Sequence, residues 1–414
     1  MLSEKEKLET LTHLGIELNQ THDLDILMER ILTKARHFVN ADAGSIYIRD
    51  GDQLHFNYTQ NETLQQRLNK GEKLIYSTFS IPVDEKSLAG YVAQTAESLN
   101  IPDVYKLGPS KPYHFSKKFD EASRYQTKSI LTLPLKNLRG EVLGILQIIN
   151  AQDENGAVVP FSDTDEKMMN PFASIAAVAL ERAQMSRSIL LRMIRMAEMR
   201  DPKETGAHVN RVGGYAVELY ERWAIQRGKS SREIDKNRDI LRMAAMLHDV
   251  GKVAITDLIL KKPGRFNDDE YKTMKRHTVL GAQLFQDCNS EFDEAAMQIA
   301  LNHHEWWNGN GYPGHIELLS EKPVPEYMTE NGQAGGKKGE QTPLFGRIVA
   351  LADVYDALSS VRIYKEAWDE SKVLSTIEQG AGTQFDPELV EIFFSSLDMM
   401  RSIQERYQDA KPAA

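Results

Sequence analysis

The 414-residue chain contains a single cysteine, Cys288, and no long uninterrupted hydrophobic run. One cysteine cannot form an intramolecular disulfide, and it excludes a metal site built from several thiolates. No stretch reaches the roughly 18 uncharged apolar residues that a membrane-spanning helix requires. Basic charge is not in excess either, because the net charge is −10. This balance argues against general binding to nucleic acid or to an anionic membrane surface, so we expect neither as a partner.

Residues 1–7 are mostly charged and lack the apolar segment of a secretory signal, so we expect a cytoplasmic protein. Hydrophobic residues make up 41% of the chain and charged residues 27%, as in ordinary globular proteins. The length is sufficient for two or three domains, each with its own core. An acidic chain can still bind a small phosphate ligand where metal ions and a few basic side chains reverse the local charge.

Histidine and acidic residues gather at five places between residues 204 and 353. Eight side chains there could ligate metal ions: Glu204, His208, His248, Asp249, His277, His303, His304 and Asp353. Imidazole and carboxylate groups suit iron, manganese, zinc or nickel. Any one of these histidines alone is more simply a buried imidazole with a hydrogen bond. Together they predict a metal site, because adjacent His–His and His–Asp pairs in apolar helical segments are costly to bury without a shared cation.

The size of this set predicts two or three divalent ions, because one ion needs only about four to six ligands. Iron or manganese is our first expectation, with nickel or zinc as alternatives. Glu204 and His208 are four residues apart, so on a helix they project from the same face. The Asp249 carboxylate can bridge two ions that together activate water for attack on a phosphate ester. Lys252 adds a positive charge for a phosphate oxygen or the leaving group, although a lysine alone is usually solvated surface.

The first 165 residues have the pattern of an antiparallel sheet flanked by helices. Apolar residues recur at helical spacing over residues 8–40, with Asp23 a candidate cap before a second helix. Two strand pairs are predicted, the first with its turn at Gly51, and a short helix begins between the pairs. The predicted strands and the start of that helix cover residues 45–49, 54–58, 87–93, 129–135 and 142–149.

Short segments in this region resemble GAF domains. They are ADAGS at residues 41–45, LAGYV at 88–92, IPDV at 101–104, SIL at 129–131 and LGILQ at 143–147. The resemblance covers nearly the whole first third of the chain and implies a sensory or dimerising module. We expect either an unidentified small ligand or a domain that only dimerises and transmits, and no residue is singled out as a ligand contact.

Residues 162–199 predict one long helix, opened by the capping pattern SDTD at residues 162–165. Its recurring apolar residues are Ile175, Ala179, Ala183, Ile189, Met193 and Met196. The run is longer than most helices of globular proteins. It predicts a parallel coiled coil between two protomers or a helix packed within one chain, and its position before the metal ligands favours the coiled coil. We therefore expect a homodimer through the GAF domain and this helix.

The rest of the chain is almost wholly helical in pattern. Apolar helical segments lead to His248-Asp249, to His303-His304 and to Asp353. Another helix, capped by Asn267, carries His277 on its later turns. Helices that each end or pass at a ligand are typical of a helical bundle that encloses a metal cluster.

Three segments here resemble the HD-GYP family of bacterial phosphodiesterases, which hydrolyse cyclic di-GMP. They are HDVGK at residues 248–252, HHEWWNGNGYP at 303–313, and ADVYDAL at 352–358 followed by RIYK at 362–365. The resemblance runs from about residue 200 to residue 393, and the motifs together are very specific. It implies an all-α bundle that hydrolyses cyclic di-GMP to pGpG, GMP or both in second-messenger signalling.

The resemblance also implies roles for individual residues. The family's metal ligands match His248, Asp249, His277, His303, His304 and Asp353. Its substrate contacts match Tyr312, Asp356, Arg362 and Lys365. Arginine suits a phosphate because its planar group donates two hydrogen bonds at once. Glu204, four residues before His208, matches the members that hold a third metal.

The predicted organisation is an α/β GAF domain at residues 1–161, a linker helix at 162–199, an all-α HD-GYP bundle at 200–400 and a tail at 401–414. Residues 320–343 depart from the family pattern by an insertion of roughly twenty residues rich in proline and glycine, whose entropic cost is small. They predict a flexible surface loop with little prospect of a core.

Three other functions remain open at this point. The substrate could be another cyclic dinucleotide such as 3'3'-cGAMP. The chain could be an HD-type phosphohydrolase of a mononucleotide or ppGpp, against which the segment at residues 303–313 counts. It could also be a cyclic-di-GMP receptor that acts by protein contact, against which the intact ligand set counts.

Overall fold

A computed structural model describes residues 4–68, 74, 79–198, 206–360 and 368–408. The chain divides into two compact units, Met1–Arg187 and Ser188–Ala414. The first combines a sheet with helices, whereas the described residues of the second contain helices and no strand. None of the described helices has an apolar window long enough to cross a membrane.

The first unit opens with two helices joined by a short turn. They are α1 (Glu4–Asn19) and α2 (Leu24–Phe38). The Asp23 carboxylate accepts hydrogen bonds from the backbone N–H groups of Asp25 and Ile26, at 2.9 and 3.1 Å. These bonds satisfy two donors that the start of a helix leaves without partners, so Asp23 is the N-cap of α2 as predicted.

A seven-stranded sheet forms the centre of this unit. Its strands are β1 (Ala41–Asp50), β2 (Gln53–Asn61), β3 (Ser80–Pro82), β4 (Leu99–Ile101), β5 (Ile130–Lys136), β6 (Val142–Gln152) and β7 (Val158–Val159). The strand order is β3-β2-β1-β6-β5-β4, with β7 paired to β6, and every pair is antiparallel. The two predicted hairpins are β1–β2 and β5–β6, and Gly51 takes the positive φ of 57° that the first turn requires.

Short helices complete the first unit. They are α3 (Glu62–Gln65), α4 (Leu88–Thr95), α5 (Lys118–Ser123) and a 3₁₀ helix at Val104–Lys106. The predicted helix start at residue 87 is confirmed, because the Ser87 hydroxyl caps α4 by accepting from the Gly90 N–H at 2.9 Å. The sheet packs its inner face on α2 through Leu32, Ile46 and Leu146, which are fully buried.

One helix of 36 residues, α6 (Asp163–Glu198), begins in the first unit and continues into the second. Its predicted apolar face divides into two parts. Ala179 and Ala183 are buried in the core of the first unit, and Ile175 is partly buried against it. Ile189 and Met193 lie further along, and 47% and 52% of their surface is exposed. Ile175 and Ala179 therefore pack within one chain, whereas Ile189 and Met193 are exposed and available for the predicted contact between protomers.

The second unit is built from the remaining helices. They are α7 (Gly206–Gln226), α8 (Ser231–Ala245), α9 (Asp257–Leu260), α10 (Asp268–Lys275), α11 (His277–Gln283), α12 (Glu291–Asn302), α13 (Leu344–Ser359), α14 (Glu370–Gly380), α15 (Pro387–Ser395) and α16 (Leu397–Arg406). Short 3₁₀ helices lie at Val250–Ala254, Pro325–Tyr327 and Gly339–Gln341. The helix α7 packs against α8 and α13, and α12 packs against α8, α11 and α13. The predicted tail at 401–414 instead begins with the last turns of α16.

Residues 315–342 form a loop that folds back on the segment before it, contrary to the flexible loop predicted over 320–343. Its backbone is tied by hydrogen bonds from Gly339 N–H to the Trp307 carbonyl at 2.8 Å and from His315 N–H to the Gly335 carbonyl at 2.9 Å. A Cβ at Gly336 would lie 2.0 Å from the Gly309 carbonyl oxygen. The glycines therefore permit close packing of two backbone segments, and they do not mark a lack of structure.

Candidate metal centre

The predicted ligands are delivered by the ends of helices in the second unit. His248 and Asp249 follow α8, and His303 and His304 follow α12. His277 is the first residue of α11, not a residue on the later turns of the preceding helix. His208 lies in the first turn of α7, and Asp353 lies within α13.

These side chains form two groups whose potential ligand atoms lie within 4.8 Å of one another. One group contains Asp249, His277, His303 and His304, and the other contains His208, His248 and Asp353. Seven of the eight residues predicted from the sequence are therefore brought together. The eighth, Glu204, lies outside the described residues.

Three of the imidazoles are each oriented by a hydrogen bond to the backbone carbonyl oxygen three residues earlier. The Nδ1 atoms of His248, His277 and His303 lie 2.9, 2.7 and 3.0 Å from the carbonyl oxygens of residues 245, 274 and 300. A carbonyl oxygen can only accept, so each Nδ1 carries the proton and donates. In the neutral ring the opposite nitrogen, Nε2, then has a lone pair directed away from the backbone, which is the tautomer of a metal-ligating histidine.

The Nε2 lone pairs lie close to one another and to the Asp249 carboxylate, an arrangement that favours a bound cation. The Nε2 atoms of His277 and His303 are 3.4 Å apart, and with both protons on Nδ1 neither nitrogen can donate to the other. The Asp249 Oδ1 atom lies 3.1 Å from His277 Nε2 and 3.7 Å from His303 Nε2. Its Oδ2 atom lies 3.3 Å from His248 Nε2, in the other group. One carboxylate thus faces both groups with different oxygens, as a ligand shared between two ions does, and the donor set fits divalent metal ions.

The electrostatics keep these groups in the protonation states that a metal requires. Burial acts to raise the pKa of Asp249, but its interactions with Lys252 and His248 outweigh burial and hold that pKa well below its usual range. Burial lowers the pKa of His303 and, together with its histidine neighbours, lowers that of His304 well below the usual value. At neutral pH the carboxylate is therefore ionised and these two imidazoles are neutral.

Lys252 lies at the site, as expected from its position three residues after Asp249. Its Nζ donates to Asp249 Oδ2 at 2.6 Å, and the side chain is one-fifth exposed. Gly251 explains how this segment comes so close to α11, because a Cβ there would lie 1.9 Å from the His277 carbonyl oxygen. Any larger residue at 251 would push Asp249 away from His277.

Asp356, predicted as a substrate contact, lies among buried side chains next to His208 and Arg211. Its side chain is 1% exposed, and its Oδ2 accepts from His208 Nδ1 at 2.8 Å. Arg211 donates to its two oxygens from Nε and Nη2, at 2.6 and 2.9 Å. Burial acts to raise the Asp356 pKa, but the bonds from His208 and Arg211 outweigh it and lower that pKa. Asp356 therefore positions a ligand histidine, and such a buried carboxylate does not fit the predicted contact with substrate.

Of the other predicted substrate residues, only Tyr312 is described. Its ring stacks on His304, with ring centroids 4.8 Å apart and an interplanar angle of 29°. Tyr312 thus borders the group that contains Asp249. Arg362 and Lys365 lie outside the described residues.

A buried polar cluster behind the ligands was missed by the sequence reasoning. The Glu305 carboxylate, 3% exposed, accepts from the Gly314 N–H at 2.5 Å and the Lys337 N–H at 3.4 Å. Lys337 Nζ donates to Asn302 Oδ1 at 2.5 Å. Burial raises the pKa of Glu305 and lowers that of Lys337. Glu305 could have been found from its place beside His304, whereas no sequence signal connects Lys337 with it.

Two family models match the chain. Residues 23–180 match the model described as GAF domain, and residues 205–358 match the model described as HD domain. The chain contains a GAF domain followed by an HD domain. The predicted fold classes of the two parts, an antiparallel sheet flanked by helices and then an all-α bundle, are confirmed.

Curated relatives of this GAF–HD chain include several phosphodiesterases. A cyclic di-GMP phosphodiesterase from Vibrio cholerae serotype O1 is 34% identical over 68% of this chain and 54% of that protein. The cyclic di-GMP phosphodiesterase response regulator RpfG from Xanthomonas campestris pv. campestris is 36% identical over 56% of this chain and 53% of that protein. The 3'3'-cGAMP-specific phosphodiesterase 2 of Vibrio cholerae is 28% identical over 79% of this chain and 58% of that protein. The chain spans about half the length of these relatives.

Proposed function

We propose that the chain is a metal-dependent phosphodiesterase of the HD-GYP type that hydrolyses cyclic di-GMP to pGpG, GMP or both. The observation that carries this proposal is the position of Asp249, whose two oxygens face two separate groups of ligand atoms. Paired metal ions are a common solution for cleaving phosphate esters. Similarity to cyclic di-GMP phosphodiesterases from Vibrio cholerae and Xanthomonas campestris supports the same reaction.

The two ligand groups would hold one ion each, with Asp249 shared between them. We propose iron or manganese as the metal, because imidazole and carboxylate together suit these ions. Glu204, as a further ligand beside His208, would allow a third ion. When bound, the metals would supply a nucleophile at neutral pH and stabilise the charge that develops on the phosphate.

The chain's own residues would hold and orient the substrate. Lys252 is one-fifth exposed beside Asp249, so its ammonium can turn from that carboxylate towards a phosphate oxygen. Tyr312 would contact the nucleotide next to His304. We keep Arg362 and Lys365 as proposed phosphate contacts, on the strength of the RIYK motif.

The test is hydrolysis of cyclic di-GMP by the purified chain, reconstituted with iron(II) or manganese under reducing conditions and followed by chromatography of the products. We expect pGpG or GMP from the parent chain. The Asp249→Asn variant should be at least a thousandfold slower, because a shared ligand would be lost. Asp163→Asn, an exposed acid in the first turn of α6, is the matched control and should keep full activity. Binding of cyclic di-GMP without hydrolysis would indicate a receptor, and hydrolysis of mononucleotides alone would indicate a phosphohydrolase.

A second candidate substrate is 3'3'-cGAMP. Two relatives from Vibrio cholerae carry the name 3'3'-cGAMP-specific phosphodiesterase, and one of them is similar over 79% of this chain. The values of kcat/KM for the two cyclic dinucleotides, measured on the same preparation, decide between them. A ratio above ten in either direction would identify the preferred substrate.

We also propose that the GAF domain, over residues 1–161, regulates the HD-GYP bundle at 200–400 through the linker helix at 162–199. The regulated form would be a homodimer through the GAF domain and the linker, and an unidentified small molecule would bind the GAF domain. The exposed Ile189 and Met193 on α6 support the helical part of this contact.

A further inference from the structure

An aromatic and cationic cluster lies beside the ligand groups and includes residues that the proposed mechanism does not use. Lys275 Nζ is 4.5 Å from the centroid of the Tyr271 ring and 4.9 Å from that of the Tyr312 ring. Tyr271 and Lys275 are four residues apart on α10, so they share one face of that helix. Tyr312 in turn stacks on His304. The cluster therefore extends outward from the ligand group that contains Asp249.

Lys275 differs from the neighbouring lysines in its partners, because theirs are carboxylates and its own are aromatic rings. Lys261, Lys262 and Lys272 each pair with a carboxylate of the same segment, at 3.0, 2.6 and 3.3 Å. Among the residues that the structure describes, no carboxylate lies within 4 Å of Lys275. Its partners are two aromatic faces, which attract a cation but accept none of its three N–H donors in the way an oxygen does.

The Tyr271 ring is accessible to a ligand. It is 47% exposed, and α10 buries none of its residues. The planes of the Tyr271 and Tyr312 rings are inclined at 75°, and their centroids are 6.5 Å apart. The Lys275 ammonium lies over both rings, in the angle between them. An exposed aromatic face beside an unneutralised cation is the pairing by which proteins hold unstacked nucleic-acid bases.

We propose that Tyr271 and Lys275 form a subsite for a guanine base of the cyclic dinucleotide, an inference that rests on the proposed function. The base takes the place over the Tyr271 ring that the Lys275 ammonium occupies in this structure. The displaced ammonium turns to the edge of the base and donates hydrogen bonds to its O6 and N7 atoms. Guanine presents two acceptors on this edge, whereas adenine presents one acceptor and an amino donor. The subsite therefore binds guanine in preference to adenine, in addition to contributing affinity.

The stacking contact is tested with Tyr271→Ala in the full chain. Stacking on an aromatic ring contributes enough that its removal should raise the Kd for cyclic di-GMP about tenfold or more. The Kd is measured by titration calorimetry in EDTA, where no turnover occurs, and KM is measured on the metal-loaded chain. We expect KM to rise with Kd while kcat stays within about twofold. Tyr271→Phe, which keeps the ring, should restore both constants.

The preference between bases is tested with Lys275→Met. In the parent chain cyclic di-AMP should bind at least about tenfold more weakly than cyclic di-GMP, as expected for one lost pair of base-edge contacts. The variant should bind cyclic di-GMP more weakly and cyclic di-AMP as before, so the ratio of the two Kd values falls towards one. Lys272→Met is the matched control, because Lys272 lies on the same helix and pairs with Asp269. It should leave the ratio unchanged.

The outcomes separate this inference from the proposed function. Hydrolysis of cyclic di-GMP with an unchanged Kd and KM in Tyr271→Ala would overturn the subsite and leave the enzyme assignment intact. Binding without hydrolysis, weakened by Tyr271→Ala, would overturn the enzyme assignment and support the subsite. A metal-loaded parent chain that neither binds nor hydrolyses a cyclic dinucleotide at millimolar concentration would overturn both. Equal loss of cyclic di-GMP and cyclic di-AMP binding in Lys275→Met would overturn the base preference.

Discussion

Asp356 and Arg211 act on the metal centre through His208. The Asp356 carboxylate holds His208 Nδ1, and Arg211 holds the carboxylate from its other side. Side chains of this kind fix the orientation of a ligand, and their loss commonly reduces metal affinity by about 10- to 100-fold.

We therefore expect Asp356→Asn to weaken metal binding at the group that contains His208 by about 10- to 100-fold. The amide has only one acceptor oxygen, so it cannot accept from both His208 and Arg211 as the carboxylate does. Metal content after dialysis against a buffered free-ion concentration is the measurement. Asp386→Asn provides the control, since Asp386 is equally buried and pairs with Arg347 away from the ligands. Equal metal content in the two variants would mean that Asp356 does not position His208.

The identity of the candidate metal ligands was the most predictable feature of the site. The types and spacing of His248-Asp249 and His303-His304 were sufficient to predict ligands that the structure brings together. The role of Asp356 was not predictable, because an acidic residue near a motif can contact a substrate or support a ligand. Only its burial and its bonds to His208 and Arg211 distinguish the two.

At the scale of elements, the loop over residues 315–342 was the least predictable part. Glycine-rich composition indicates flexibility only when the glycines face solvent. Gly336 instead allows the loop backbone to approach Gly309, and this contact joins segments that are distant in sequence. Helices and hairpins were predictable because local periodicity and turn residues determine them, whereas this packing depends on the tertiary structure.

Lys337 anchors that loop to the segment that holds His303 and His304. We expect Lys337→Met to lower the free energy of unfolding by about 1–3 kcal/mol, because Asn302 loses its donor and Glu305 loses a nearby positive charge. Chemical denaturation followed by circular dichroism measures the change. Lys322→Met, at an exposed lysine of the same loop, should change stability by no more than about 0.5 kcal/mol. If both variants behave like the parent chain, the loop is not anchored through Lys337.

The exposed apolar side chains of α6 make a second prediction at this scale. We expect the parent chain to be a dimer at micromolar concentration and the double variant Ile189→Glu, Met193→Glu to be a monomer. Charged residues on the contact would have to be desolvated, at a cost that disfavours association. Sedimentation velocity is the measurement, and Ser174→Glu, exposed on the first half of α6, is the control. A monomeric parent, or a variant that remains dimeric, would contradict the contact.

At the scale of the whole molecule, the two compact units each have their own core. All seven described ligands belong to the second unit, so a bound metal should stabilise that unit and not the first. The division into a sheet-containing unit and a helical unit was predictable from the change in periodicity along the chain. The point of division was not, because α6 crosses it without a break in its helical pattern.

Calorimetry should therefore show two unfolding transitions, of which only one depends on metal. At a free ion concentration about 100 times Kd, binding contributes about 2.7 kcal/mol to stability. For a unit of this size the gain corresponds to a Tm higher by roughly 5–10 °C. In Asp249→Asn the metal-dependent shift should largely disappear while the other transition stays in place. A shift of both transitions by the same amount would show that the two units unfold together.

The carbonyl oxygens that hold His248, His277 and His303 also bear on how an ion enters the protein. Hydrogen bonds to nearby backbone carbonyls already orient these imidazoles. No large rearrangement of the chain therefore has to precede metal binding. Loading would then be limited by how fast the hydrated ion sheds its water, and little ordering entropy would oppose it. Ligands of this type bind several first-row metals with affinities that follow the intrinsic order of the ions. The metal found in the cell would accordingly reflect this order together with the concentrations of the available ions, and exchange in vitro should proceed without unfolding.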